Sequence, residues 1–278
     1  MTGEITLVPI GGLANRFYAI TSTIAFCQDN DIRLKVIWFK DWGMGANFRT
    51  ILKLAKPLKE VEIVDAEWKD YIFDRPRKRN FWLPALSQRL LFGKRIYEKD
   101  VLKGFSPEEL KQWVQKYKRV YLVHYCHYYG GLEWLQKLAP AVDIQQNIRN
   151  RMEQLFPNNN IIGVHIRRTD NILSIQNSPL SLFIDKMNEE IEKDPTVHFY
   201  IASDDMNEKK KLKDLFGDRV ITLLEEVRRD NEKGIIDAVM ELYTLAAMKK
   251  IYGSAASTYS MLAAGLSGID LEILSIKK

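Results

Sequence analysis

The chain is poor in the residues that staple or metallate a fold. Of its 278 residues two are cysteine and four are histidine. Cys27 and Cys126 lie far apart, each inside an apolar stretch where a thiol serves as a small core side chain, so no disulfide framework is implied. His124, His127, His165 and His198 are scattered without the spacing of a metal site, and no protein-bound metal is expected. Also lacking is any uncharged apolar run of about eighteen residues, the minimum for a membrane span. The opening Met1-Thr-Gly-Glu4 has no basic segment before the first apolar run, and no small-residue cleavage site follows it. A soluble, cytoplasmic protein is expected. The 36 acidic residues nearly offset 41 basic ones, leaving a net charge of +5 that permits anionic ligands without requiring nucleic acid.

What the chain does have is apolar residues, 46% of the total, in short β-rich runs that alternate with helical patterns. That alternation argues for an α/β protein with mainly parallel sheets. Strands are expected near 5–10, 35–39, 61–64 and 119–126, then near 161–166, 197–202, 219–223, 249–253 and 271–276. Two series imply two Rossmann-like domains, 1–140 and 141–278, with a helix over 143–156 and the polar Pro157-Asn-Asn-Asn160 leading into the second series. No internal repeat or low-complexity tract interrupts them. Between 67 and 118 the pattern is irregular. There Arg75, Arg77, Lys78 and Arg79 precede Phe81 and Trp82, which fits a nucleic-acid patch, a peripheral contact with an anionic membrane, part of an acceptor groove, or a solvated charged loop.

The sharpest signal is Ile161-Ile-Gly-Val-His-Ile-Arg-Arg-Thr-Asp170, a buried-strand pattern that ends abruptly in charge. Open α/β sheets bind ligands at the carboxyl ends of their strands. Arg167 and Arg168 there suit a diphosphate, because guanidinium is planar, permanently charged and donates in pairs. The alternative is a surface ion pair with Asp170. Three further segments bear on the same chemistry. Gly11-Gly-Leu-Ala-Asn-Arg16 joins a strand to a helix, where glycines admit a close ligand and free amides attract an anion; it is neither the dinucleotide fingerprint nor the P-loop, and a plain tight turn reads equally well. Val197 to Asp205 is a second strand ending in Ser203, Asp204 and Asp205. One of these carboxylates is expected to cap the helix from Asn207 and the other to bond locally, adjacent carboxylates on a strand being poorly placed to share a metal. Last, Asp237 and Glu241 share a helical face ahead of Ser254, Ser257, Thr258 and Ser260, hydroxyls that make either a phosphate cradle or a helix cap.

The Gly11–Arg16 loop, the His165-Ile-Arg-Arg-Thr-Asp170 strand end, Tyr200-Ile-Ala-Ser-Asp-Asp205 and the serine-rich Ser254–Ser260 segment, in that order, resemble the fucosyltransferase superfamily of α1,6-, α1,2- and protein O-fucosyltransferases. The resemblance covers the first twenty residues and most of the carboxyl half; about 40–140 carries none of it. It implies a GT-B-like architecture of two facing Rossmann-like domains, the first on the acceptor side and the second holding GDP-β-L-fucose. It further implies inverting transfer to a glycan hydroxyl with no cofactor and no metal. On this chain Arg167 would meet the leaving β-phosphate, with Arg168 supporting it. His165 and either Asp237 or Glu241 would serve the guanosine, and Ser257, Thr258 and Ser260 the phosphates. Gly11, Gly12, Asn15 and Arg16 would approach from the opposite domain, and Ser203 and Asp204 would complete the nucleotide-sugar site. The chain departs from the family at the base. The glutamate that follows the motif in α1,6-type members is replaced by Asn171-Ile-Leu-Ser-Ile175, and the Gly11–Asn15 loop carries none, which leaves Asp170 beside Arg167 as the catalytic candidate. Competing readings are a related transferase using another GDP- or UDP-sugar, and a non-catalytic nucleotide- or glycan-binding protein on the same fold.

Overall fold

A computed structural model of the chain describes residues 3–72, 74, 82–155, 160–224 and 228–276. The basic run Arg75, Arg77, Lys78 and Arg79 lies outside the described residues. The chain folds into two compact units, Met1–Ala141 with Arg229–Ile235, and Val142–Arg228 with Ile236–Lys278. The return of 229–235 to the first unit is a feature that the sequence did not announce.

The first unit is built on a parallel sheet of β1 (Glu4–Pro9), β2 (Arg33–Trp38), β4 (Val61–Asp65), β5 (Lys94–Ile96) and β6 (Arg119–His124), in the order β4-β2-β1-β6-β5. Two short antiparallel strands, β3 (Leu52–Leu54) and β7 (Leu138–Pro140), pair beside it. Val8, Ile10, Ile37, Phe39, Tyr121 and Val123 form one apolar cluster of this unit. Between β1 and the helix Leu13–Asp29 the chain turns at Gly11, whose φ of +93° favours glycine.

The second unit carries β8 (Ile161–Ile166), β9 (His198–Ser203), β10 (Val220–Ile221), β11 (Ile251–Ser254) and β12 (Leu271–Leu274), ordered β10-β9-β8-β11-β12 and parallel throughout. Every residue of β8 is buried, as a central strand covered on both faces requires. Gly163 explains how a helix lies so close to it: a Cβ there would stand 2.6 Å from a Leu245 methyl. Because β9 and β11 flank β8 on opposite sides, the strand order reverses at β8. The crevice outside its carboxyl end is therefore where a sheet of this topology takes a ligand.

Candidate functional site

At that end of β8 the charged residues are held by the two neighbouring strands. The Arg167 amide donates to Ser254 Oγ of β11 at 3.0 Å. Asp204, the residue after β9, accepts the Arg168 amide at 2.7 Å and the Thr169 hydroxyl at 2.7 Å, and its carboxylate stands 2.5 Å from an Arg167 guanidinium nitrogen. The fork is thus fixed by both backbone and side chain. The other edge of the Arg167 guanidinium is taken by Asp170, which is half exposed, whereas Asp204 is nearly buried. Asp205 caps the helix Met206–Phe216, accepting the Asn207 amide at 2.7 Å.

Arg168 is buried and serves the loop differently. It donates to the Arg167 carbonyl at 3.0 Å and reaches Glu208 at 3.4 Å, while its Nη2 and Glu208 Oε2 have no hydrogen-bond partner. Each such buried polar atom is costly unless a ligand or water meets it. Nδ1 of His165 is a third orphan in the same unit. That imidazole is 5% exposed and stacks on Tyr259 with ring centroids 4.9 Å apart, and Tyr259 is itself fixed by a 2.6 Å hydrogen bond to the Ala238 carbonyl.

The loop after β11 is braced from the 171–178 segment. Asn171 donates to the Ala256 carbonyl at 2.9 Å, Ser174 to the Ala255 carbonyl at 2.5 Å, and the Ala255 amide to Ser178 Oγ at 2.8 Å. These bonds hold Ala256 at a φ of +54°, a conformation an L-residue adopts only when its surroundings impose it. Ser257 then occupies the N-cap of the helix Thr258–Ser267 without a side-chain cap bond, and Thr258 is exposed at its first turn.

Several expected ligand groups have other duties. Arg16 is wholly buried in the first unit, its guanidinium donating to the carbonyls of Gly11 at 3.0 Å and Phe39 at 2.6 Å, pairing with Asp41 at 2.7 Å and lying over the Trp38 ring. These bonds engage the guanidinium inside the first unit. Ser260 is fully buried and packs against Gly253, where a Cβ would stand 2.6 Å from its Oγ. Ser203 is buried and accepts the Asp205 amide at 3.1 Å, a turn contact. Glu241 pairs with the buried Lys209 at 3.0 Å, and Asp237, one turn earlier on the same helix, is partly exposed. Gly11 is buried. Gly12 and Asn15 are partly exposed in the first unit, Gly12 being the N-cap of its helix with open space where a Cβ would stand. Conversely, Glu208, Asn171, Ser174 and Ser178 brace these loops without a sequence signal of doing so, since their bonds reach partners 40 to 96 positions away.

Burial pushes two imidazoles, His124 and His165, down from 6.5 to about 4. The unfolded chain therefore takes up protons near pH 6.5 that the folded one refuses until about 4. Stability is complete above 6.5 and is lost as pH falls through that window, by on the order of 3 kcal/mol per histidine. Thermal unfolding should show a midpoint that drops between pH 6.5 and 4, and His124→Phe should remove about half of the drop. A flat midpoint would mean that these rings are not buried as described.

Among the described residues no group of three His, Cys, Asp or Glu side chains could hold a metal, and no helix is long and apolar enough to cross a membrane. The chain matches no family profile and no curated protein in sequence. Its likeness is in structure. The α1,6-fucosyltransferase NodZ, in a crystal soaked with GDP-fucose, superposes with a TM-score of 0.68 at 16% identity, over 96% of this chain and 93% of that one; NodZ is from Bradyrhizobium. POFUT1 in complex with GDP gives 0.63 at 12% identity over 98% and 99%, and a variant of FUT1 from Arabidopsis thaliana in complex with GDP gives 0.63 at 13% over 99% and 71%. The chain therefore shares the GT-B-like fold of these solved structures, with two α/β regions on parallel sheets.

Proposed function

We propose that this protein is an inverting fucosyltransferase that moves L-fucose from GDP-β-L-fucose to a glycan hydroxyl without a metal ion. The observation that carries the reading is Arg167, pinned by Ser254 and Asp204 at the carboxyl end of the central strand where the strand order reverses. As the bond from the sugar C1 to the β-phosphate oxygen breaks, the sugar becomes oxocarbenium-like and negative charge gathers on the departing diphosphate. A guanidinium already fixed in place favours that state over the ground state and spares the reorganisation that water would need. The acceptor oxygen joins C1 from the opposite face, its proton passes to a base, and GDP leaves. Asp170 is the base this reading selects. A phosphate oxygen that takes its edge of Arg167 releases the carboxylate, which then accepts the hydroxyl proton.

In this reading the diphosphate lies over the uncapped start of the helix Thr258–Ser267, with Ser257 and Thr258 contributing amides or hydroxyls. His165, Asp204 and Arg168 shape the nucleotide side, and Gly12 and Asn15 belong to the acceptor-side unit. The orphaned Nδ1 of His165 offers the nucleoside a neutral imidazole at neutral pH, since burial holds its pKa near 4. The cytoplasm is the compartment proposed.

GDP should raise the melting temperature while UDP and a short oligonucleotide leave it unchanged, a ligand at a hundred times its Kd stabilising by ~2.7 kcal/mol. Transfer should proceed equally in excess EDTA and with added Mg²⁺ or Mn²⁺. A shift with UDP alone, or turnover that EDTA abolishes and Mn²⁺ restores, would reject the reading. Asp237 sharpens the nucleobase part. A carboxylate can accept from both N1–H and the 2-amino group of guanine, for which uracil has no equivalent pair. Asp237→Ala is expected to weaken GDP about tenfold or more and UDP hardly at all, tenfold being ~1.4 kcal/mol. Unchanged GDP affinity by calorimetry would remove Asp237 from the base site.

A further inference from the structure

The backbone of His165 is locked in β8 between Ala202 of β9 and Gly253 of β11. Its side chain is held differently. The ring is 5% exposed, its Nδ1 is enclosed without a partner, and among the described residues no hydrogen bond orients it. What faces it is Tyr259, with ring centroids 4.9 Å apart and planes 28° from parallel. Tyr259 is anchored at its far end, where its hydroxyl donates to the Ala238 carbonyl at 2.6 Å. Ala238 follows Asp237 on the helix Glu232–Ala246, and the Tyr259 backbone lies in the first turn of the helix Thr258–Ser267, directly after Ser257 and Thr258. One side chain thus joins three elements of the second unit, and each carries a residue that the donor reading uses. A phenol bound at its tip and rooted in a helix has no torsion left to turn, so it restricts the imidazole laid against it.

We infer that Tyr259 is a positioning residue for the donor nucleoside: its ring sets the plane of the His165 imidazole, so that the enclosed Nδ1 meets a hydrogen-bonding group of the nucleoside. A ring nitrogen of neutral histidine is a single donor or acceptor, and its bond forms only in the plane of the ring. An imidazole left to rotate would lose that freedom on binding, a cost that the stack removes beforehand. Tyr259 therefore acts through His165. The inference rests on the donor reading.

Calorimetric titration with GDP, with melting curves on the same samples, tests it. His165→Ala and Tyr259→Leu, which remove the imidazole and the stack, should each weaken GDP about tenfold. Tyr259→Phe keeps the stack, loses the anchor and should cost about threefold. The double variant His165→Ala/Tyr259→Leu should bind within about twofold of His165→Ala, whereas independent contributions would multiply to about a hundredfold. A tyrosine that merely supports the fold would lower affinity as much without His165 as with it. Should leucine unfold the chain, Tyr259→Phe carries the same cycle and should cost nothing further in the His165→Ala background. Multiplied losses, or GDP affinity unchanged in His165→Ala or in the Tyr259 variants, overturn the inference and leave the donor reading in place. A native protein that does not bind GDP overturns both.

Discussion

Replacing Arg167 by alanine should lower fucosyl transfer from GDP-fucose about a thousandfold while leaving the fold intact, in line with removal of a preorganised donor to a developing anion. The fold should survive because Asp204 keeps the Arg168 amide and the Thr169 hydroxyl, and because Arg167 itself is not a core side chain. Arg167→Lys is the more discriminating variant. Lysine restores the charge, but a single ammonium cannot face Asp204 on one edge and a phosphate oxygen on the other as a planar guanidinium can. It is expected to recover no more than about tenfold of the loss. Rates measured at saturating donor, with circular dichroism and melting curves on the same samples, decide the matter. Turnover near the native rate in either variant would show that Arg167 does not stabilise the leaving group.

How far such a site can be read from a sequence depends on where each side chain finds its partner. The strand Ile161–Ile166 was legible because a short, mostly apolar and β-rich run that ends abruptly in charge fits a covered strand, and a helix cap at Asp204 or Asp205 because an N-cap bond is local. Arg16 was not. Its neighbours in sequence resemble an anion-binding turn, while the acid that neutralises it, Asp41, stands 25 positions away on another strand's exit. Serine offers the same ambiguity at closer range. Ser257 and Ser260 lie three apart in one segment, yet Gly253 draws Ser260 into the packing and leaves Ser257 at the helix start. The strands β3, β5 and β7 escaped because three residues are too few to show a period.

The buried ion pair of the second unit should give the largest stability effect. Lys209 is 2% exposed and its ammonium has two acceptors, Glu241 at 3.0 Å and the Leu223 carbonyl at 3.3 Å. Burial already pushes the Glu241 carboxyl above its ordinary value, against the pull of Lys209 and Arg151. Lys209→Met keeps the length and packing of the stem but strands that carboxylate, a change that costs ~3–5 kcal/mol when a buried pair is broken from one side. Glu241 then folds more readily as the neutral acid. Its folded pKa exceeds its unfolded one, so the variant's deficit relative to the native protein should be smallest below the unfolded value of about 4.5 and grow as pH rises through the folded one. The double variant Lys209→Met/Glu241→Leu, with no buried charge left at this contact, should recover to within ~1 kcal/mol of native at pH 7. Denaturant unfolding of the native protein, Lys209→Met, Glu241→Leu and the double variant at pH 5 and pH 7 forms the cycle. A single-variant cost below ~1 kcal/mol, or a double variant no better than the single, would mean that solvent screens this pair and that Glu241 is accessible to a ligand after all.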